Sequence, residues 1–140
     1  MFRKVILEAR NQIPRLNTVR LFSQETNEAT RIEKTVNNVT LLGRVGADPQ
    51  KRGSTQHPVV IFSLATHTNY KYETGDFMQR TDWHKVCVFK PNLRDAVYTY
   101  LKKGQRVLVN GRISYSEFKD EEGISHPSTA IIADDVIFFQ

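Results

Sequence analysis

The chain has 140 residues and a mass of 16.2 kDa, enough for one domain, and its 39% hydrophobic and 25% charged residues are typical of a globular protein. Its apolar runs, such as 59–62, are far shorter than the ~20 residues that cross a bilayer, and the lone Cys87 excludes an internal disulfide and a thiolate zinc site. The net charge of +5 is unevenly distributed, because residues 1–22 hold five basic groups and one acid while residues 23–140 hold 15 and 14.

Residues 1–22 are predicted to be a mitochondrial transit peptide. Their basic residues are spaced among apolar ones, and the continuous apolar stretch of a secretory signal is missing. The run Arg20-Leu21-Phe22-Ser23 is similar to a site processed two residues after an arginine. The alternative, a basic amphipathic helix retained in the fold, is disfavoured because Pro14 interrupts it. We expect a flexible lead-in over 23–35 and one folded domain over 36–140.

Short apolar runs separated by Gly, Pro and Asn predict strands near 39–43, 58–68 and 80–90. Residues 91–104 then predict a helix, with Asn92 as its cap and Gly104 as its stop. Its apolar residues recur at helical spacing: Leu93, Ala96, Val97, Tyr100 and Leu101. Two more strands follow at 106–115 and 128–139. This order predicts an all-β fold, a five-stranded Greek-key barrel of the oligonucleotide-binding type (OB-fold) with one short helix between strands 3 and 4.

The charges of the domain are polarised, since residues 44–112 hold twelve basic groups and five acids while 113–140 hold one lysine and six acids. Several aromatic residues stand beside lysines, as in Tyr70-Lys71, and a regular strand would project Trp83, Lys85 and Phe89 from one face. Flat rings beside cations suit unpaired bases, whereas duplex DNA hides its bases. The alternative role of such rings is packing, which we expect for Phe62, Tyr100, Phe138 and Phe139.

Four segments resemble the bacterial-type single-stranded DNA-binding proteins: NNVTLLGRVGADP, FSLATHTNY, QRTDWHKVCVFK and YLKKGQRVLVNGRI. The resemblance covers about 36–139 and, with residues 1–22, extends to the mitochondrial members. It implies a protein that coats single-stranded DNA without sequence specificity during mitochondrial DNA replication, in the matrix nucleoid. By motif position, the stacking rings are Tyr70, Trp83, Phe89 and Phe118, of which Tyr70 and Phe118 replace tryptophans. The resemblance also implies a homotetramer with His84 at or near a subunit contact.

Phosphate contacts are assigned by position to five cations: Arg44, Lys71, Lys85, Arg94 and Arg112. Mitochondrial replication proteins are possible partners. Bacterial relatives end in a flexible tail with an acidic tip that recruits other proteins, whereas this chain stops at Gln140, so we expect no recruitment of that kind.

An enzyme is disfavoured, because the four histidines are isolated and no phosphate loop, nucleophile elbow or HExxH motif is present. We therefore expect no catalytic residue, metal, cofactor, small-molecule substrate or membrane partner. An OB-fold barrel that serves RNA, or that is a subunit of a larger assembly, would show the same composition and stays open at this point.

Overall fold

The computed structural model of the protein describes residues 31–140, and its folded unit is Asn37–Gln140. The predicted transit peptide, 1–22, and the first part of the predicted lead-in, 23–30, lie outside the described residues. Residues 31–35 are exposed and have no regular secondary structure.

In this part of the chain, six strands and one helix follow in the order β1 (Val39–Val45), β2 (Gln50–Gly53), β3 (Pro58–Lys71), β4 (Phe77–Val88), α1 (Pro91–Tyr100), β5 (Arg106–Lys119) and β6 (Ser125–Phe138). Five strands close a barrel in the order β1-β5-β6-β4-β3, and β1 pairs back onto β3 through Arg44 and Val45. Only the β4–β6 pair is parallel. The predicted five-stranded barrel is confirmed, and β2 lies outside the ring as a short addition to β3.

The helix position and bounds differ from the prediction in detail. The helix α1 was predicted between strands 3 and 4 and lies between β4 and β5. The difference arises because the structure has an additional strand, β2, that was not predicted. All four residues of β2 are exposed, so this strand lacks the apolar alternation by which strands are recognised. The helix begins at Pro91 with Lys90 as its N-cap, so Asn92 is not the cap, and it ends at Tyr100. Gly104 lies beyond it, in the turn before β5.

The core fills the barrel with aliphatic residues from the five ring strands, and α1 adds Val97 and the following Leu101. Phe62 is buried and Phe138 packs against this core, as predicted. The predictions for Tyr100 and Phe139 were wrong. Tyr100 is 68% exposed, because Val97 and Leu101 define the buried side of the last turn of α1. Phe139 lies after β6, with its ring centroid 5.6 Å from the Arg106 guanidinium.

Two long hairpins extend beyond the core, and they carry most of the predicted site. The β3–β4 ladder is paired from Val60–Val88 to Lys71–Phe77, and only its barrel half is buried. The β5–β6 ladder likewise changes from buried residues near Val107 to exposed ones near Lys119. Each hairpin therefore has one half that stabilises the barrel and one half that presents both of its faces to solvent.

Candidate nucleic-acid interface

All four predicted stacking rings are open to solvent. The exposed fractions are 37% for Tyr70, 62% for Trp83, 48% for Phe89 and 55% for Phe118. All four lie outside the core, which is built mainly from aliphatic side chains.

Trp83 and Lys85 project from the outer side of β4, while the intervening His84 and the next residue, Val86, point the other way. The residues paired with them on β3 are small: Ala65 lies opposite Trp83 and Ser63 lies opposite Lys85. The small neighbours leave room above the sheet, so the indole can present a face to a flat ligand.

The indole rests on the turn that follows β1. A Cβ atom on Gly46 would overlap the Trp83 ring, and the Gly46 amide donates to the carbonyl of Ser63 at 2.9 Å. A groove of about 340 Å³ lies beside the indole, lined by Ala47, Asp48, Gln50, Ile61, Phe62, Ser63, Trp83, His84 and Lys85. A second cavity, of about 150 Å³, lies between Trp83–Lys85 and Ile113, Thr129, Ala130 and Ile131. Trp83 thus has open space in two places.

Tyr70 lies near the free end of the β3–β4 hairpin, with its ring edge-on to Tyr72 at 6.1 Å between centroids. In the β3–β4 register Tyr70 pairs with Met78, whereas Trp83 pairs with Ala65, five residues away along β3. An odd separation places the two side chains on opposite faces of the ladder. The sequence motif thus identified two exposed rings, but they do not share one face.

The Arg80 side chain on β4 lies beside Tyr70 of β3. Its Nε donates to the Asp82 carboxylate at 3.0 Å. Asp82, and secondly Tyr70, raise the pKa of Arg80 above its ordinary value. Arg80 therefore remains a cation beside the Tyr70 ring.

The same hairpin end carries an aromatic residue that the sequence analysis missed. Phe77 is largely exposed, and the Lys71 ammonium lies 5.6 Å from its ring centroid. The two residues face each other because the chain turns at 72–76, where the Tyr72 amide donates to the Asp76 carbonyl. To identify this pair from the sequence, the position of the turn would have to be known, because the turn determines which residues of the two strands lie opposite each other.

Phe89 is separate from the Trp83 group. The strand ends at Val88, and Cys87, which shares parity with Trp83 and Lys85, is buried. The predicted single row of Trp83, Lys85 and Phe89 along one strand face was therefore wrong, because Phe89 lies in the connection to α1. Burial raises the pKa of the Cys87 thiol, so this side chain stays a neutral packing group.

Phe118 lies on the exposed half of β5, directly opposite His126 on β6. The two ring centroids are 5.3 Å apart and the rings are tilted by 30°. The His126 Nε2 is 2.7 Å from Oδ2 of Asp120, in the turn between the strands. The Phe118 ring is therefore one member of a small cluster, separate from Trp83 and Tyr70.

The predicted cations differ in how free they are to meet a phosphate. Lys85 lies beside Trp83 and is exposed, as is Arg112 on β5. Arg44 donates to the carbonyl of Gly104 at 2.9 Å. The Arg94 side chain is only 19% exposed and lies 3.6 Å from the Asp95 carboxylate. Arg94 is thus the least accessible of the predicted phosphate contacts.

Three histidines, His67, His84 and His126, have polar side-chain partners. His84 is half-buried and its Nε2 lies 2.8 Å from Oγ1 of Thr66. On the outer side of the hairpin, His67 Nδ1 lies 3.0 Å from Oγ1 of Thr81. Among residues 31–140, no group of three or more His, Cys, Asp or Glu side chains could hold a metal ion. Within that range, no helix combines the length and the apolar character needed to span a membrane.

The closed barrel, with rings and cations displayed on its long hairpins, defines an oligonucleotide-binding domain of the OB-fold class. Comparison with known proteins agrees, since residues 36–139 match the Single-strand binding protein family. The chain belongs to that family.

Relatives within the family share much of the sequence. The chain is 69% identical over 110 residues to the mitochondrial single-stranded DNA-binding protein of Drosophila melanogaster, covering 79% of this chain and 75% of that one. It is 41% identical to the Rattus norvegicus protein of the same name, over 99% of this chain and 92% of that one. Among solved structures, the Plasmodium falciparum SSB complex with ssDNA superposes with a TM-score of 0.70 at 32% identity, covering 79% of this chain and all of that one.

Proposed function

We propose that this protein binds and coats single-stranded DNA without sequence specificity during mitochondrial DNA replication. The observation that carries the proposal is the exposure of Tyr70, Trp83, Phe89 and Phe118 on strands and connections around an aliphatic core. An unpaired base offers its flat face to any ring whatever its sequence, at about 1–3 kcal/mol per base. Membership of the Single-strand binding protein family supports the same reading.

Binding begins, in this proposal, at Trp83. A base stacks on the indole in the groove beside Gly46, and Lys85 meets the adjoining phosphate. Tyr70 lies on the opposite face of the β3–β4 ladder, so a strand that reaches both rings passes around the hairpin rather than along one flat sheet. Such a path suits a flexible single strand and excludes a stiff duplex.

Phosphate neutralisation is assigned first to the accessible cations Lys71, Lys85 and Arg112. Arg44 and Arg94 contribute only if they exchange the contacts they make with the Gly104 carbonyl and the Asp95 carboxylate. We infer no catalytic role, no cofactor and no small-molecule substrate, in keeping with a family defined by DNA binding.

The test uses Trp83, the only tryptophan of the chain, as its own reporter. Titration with oligo-dT is expected to quench the indole fluorescence, and the logarithm of affinity should fall linearly with the logarithm of salt concentration. A matching duplex should bind far more weakly. Unchanged fluorescence, or equal affinity for the duplex, would overturn the proposal, and tighter binding to an RNA of equal length would favour the RNA alternative.

We further propose that the protein assembles as a homotetramer. Leu42 on β1, Leu108 on β5 and Ile137 on β6 pair in one row across the outer side of three adjacent strands. Leu42 and Ile137 are each more than two-fifths exposed. Among residues 31–140, β1 pairs with β3 only at Arg44 and Val45. The remaining edge, at Val39–Gly43, can therefore accept another strand.

His84 is assigned to the oligomer interface in the same proposal, on the family resemblance, and its half-buried imidazole is held in place by Thr66. Replacing it with alanine should weaken assembly while leaving Trp83 in place. The measurement is the sedimentation coefficient of the variant across a dilution series. Assembly unchanged at every concentration would remove His84 from the interface.

The site of action is proposed to be the mitochondrial matrix, at the nucleoid, with replication proteins as partners. The relatives named above are mitochondrial proteins, and residues 1–22 have the composition of a transit peptide. Amino-terminal sequencing of the protein recovered from mitochondria should find Ser23 first. Recovery of the chain with residues 1–22 intact would count against the transit peptide.

A further inference from the structure

Phe118 lies in the most acidic part of the domain, which is unfavourable for a ring that must meet DNA. Residues 116–126 contain Glu117, Asp120, Glu121 and Glu122, against Lys119 as the one Lys or Arg. Phosphates approaching the ring would be repelled by these carboxylates at short range. A stacking role for Phe118 therefore depends on how the ring and the nearest carboxylate are held.

Asp120 is fixed by the turn between β5 and β6. Its Oδ1 accepts the backbone N–H groups of Glu122 and Ile124 at 3.0 and 2.8 Å. Its Oδ2 is left to face the imidazole of His126, 2.7 Å away. The hydrogen bond from His126, and then the one from the Ile124 amide, lower the pKa of Asp120. Asp120 is therefore an anchored anion that orients His126.

His126 in turn supports the Phe118 ring. The two residues are directly opposite in the β5–β6 register, 5.3 Å apart between centroids and tilted by 30°. The imidazole thus packs against the phenyl ring, while 55% of the residue stays exposed for a base. Glu117 does not compete for the imidazole, because its Oε2 accepts from the Ser125 hydroxyl at 2.9 Å.

We propose that His126 is a positioning residue for DNA binding at Phe118. It holds the phenyl ring in place, and its bond to Asp120 fixes the imidazole against that ring. This inference rests on the proposed DNA-binding function and adds a residue to its site.

The test is a double-mutant cycle on the full chain with oligo-dT as the probe. His126→Gln should lower affinity about threefold to tenfold, a part of one stacking contact. In a Phe118→Ala background the same substitution should have no further effect. His67→Gln is the matched control, a histidine on the other long hairpin that bonds Thr81. The effect of His67→Gln on affinity should be the same in the wild-type and the Phe118→Ala backgrounds.

Urea unfolding of each variant separates positioning from simple hairpin stability. His126→Asn removes the imidazole in the same way and covers the case in which the glutamine variant folds poorly. Equal losses of affinity from His126→Gln in both backgrounds would overturn the inference. Failure of the wild type to bind oligo-dT would instead overturn the proposed function.

Discussion

The position of Trp83 is determined by one glycine as much as by its own strand. The turn after β1 brings Gly46 against the six-membered ring of the indole, and any side chain there would occupy the same space. The sequence shows Trp83 and Gly46 as separate motif residues, 37 positions apart. Their contact follows only from the closure of the barrel, which brings the end of β1 beside β3 and β4.

Gly46→Ala should therefore lower affinity for oligo-dT about threefold to tenfold, the range set by partial loss of one stacked base. The added methyl group displaces the indole from the groove, so the emission of the free protein should also change. Fluorescence titration measures both effects. In a Trp83→Phe background the clash with the indole is removed and the Ser63 hydroxyl, 2.8 Å from the added methyl group, is the remaining close contact, so Gly46→Ala should cost less. Because no indole remains there, the affinity is measured by the anisotropy of a labelled oligo-dT. A large loss in that background would show that the turn itself has been distorted.

Exposure of individual residues was predictable where the neighbours are charged and polar, as for Tyr70 and Phe118. It was not predictable for Tyr100 and Phe139, which have apolar neighbours in the sequence. Their exposure depends on which side of α1 meets the barrel and on where β6 ends. These are tertiary properties that periodicity within one segment does not fix.

At the scale of elements, strands with buried apolar residues were predicted in the right places, and the polar strand β2 was not. Gln50–Gly53 pairs with β3 through its backbone, and backbone pairing leaves no signature in side-chain composition. The two hairpins were predicted as strands with polar loops. The free halves of both hairpins are paired strand rather than loop, which gives their rings a defined register. The paired segments are 69–71 with 77–79 and 117–119 with 125–127.

The β5–β6 hairpin should lose stability in acid through Asp120. The folded pKa of this carboxyl is lowered, first by His126 and then by turn amides, so folding favours its ionised form. The stabilisation is therefore complete above the ordinary value of 3.8 and is lost as pH falls through the lower folded value. Wild type should be more stable than Asp120→Asn at neutral pH, and this difference in unfolding free energy should shrink as pH falls below about 4. Urea unfolding of both proteins at several pH values measures the difference. A difference that stays constant down to about pH 2 would contradict the stabilising role of the Asp120 carboxylate.

At the scale of the whole molecule, charge is sorted along the fold rather than spread over it. Residues 44–112, which run from the end of β1 to the middle of β5, carry the basic excess, while residues 113–140, on the rest of β5, β6 and their turn, hold one lysine and six acids. Since charges more than about 8 Å apart are screened at physiological salt, a phosphate responds to the groups near it and not to the net charge. This explains how a nearly neutral domain can bind DNA locally.

The apolar row of Leu42, Leu108 and Ile137 gives the whole-molecule proposal its sharpest test. If subunits meet through this face, a lysine in place of Ile137 puts a charge into a buried contact, and the tetramer should dissociate into smaller species. Ile124→Lys is the control, an exposed isoleucine in the β5–β6 turn, away from the row. Sedimentation velocity of the full chain reports the assembly. Ile137→Lys should sediment more slowly than both the wild type and Ile124→Lys, while stacking at Trp83 persists as fluorescence quenching by a short oligo-dT. Wild-type monomers, or an Ile137→Lys variant that sediments with the wild type, would remove this face from the assembly and leave each barrel to bind its strand alone.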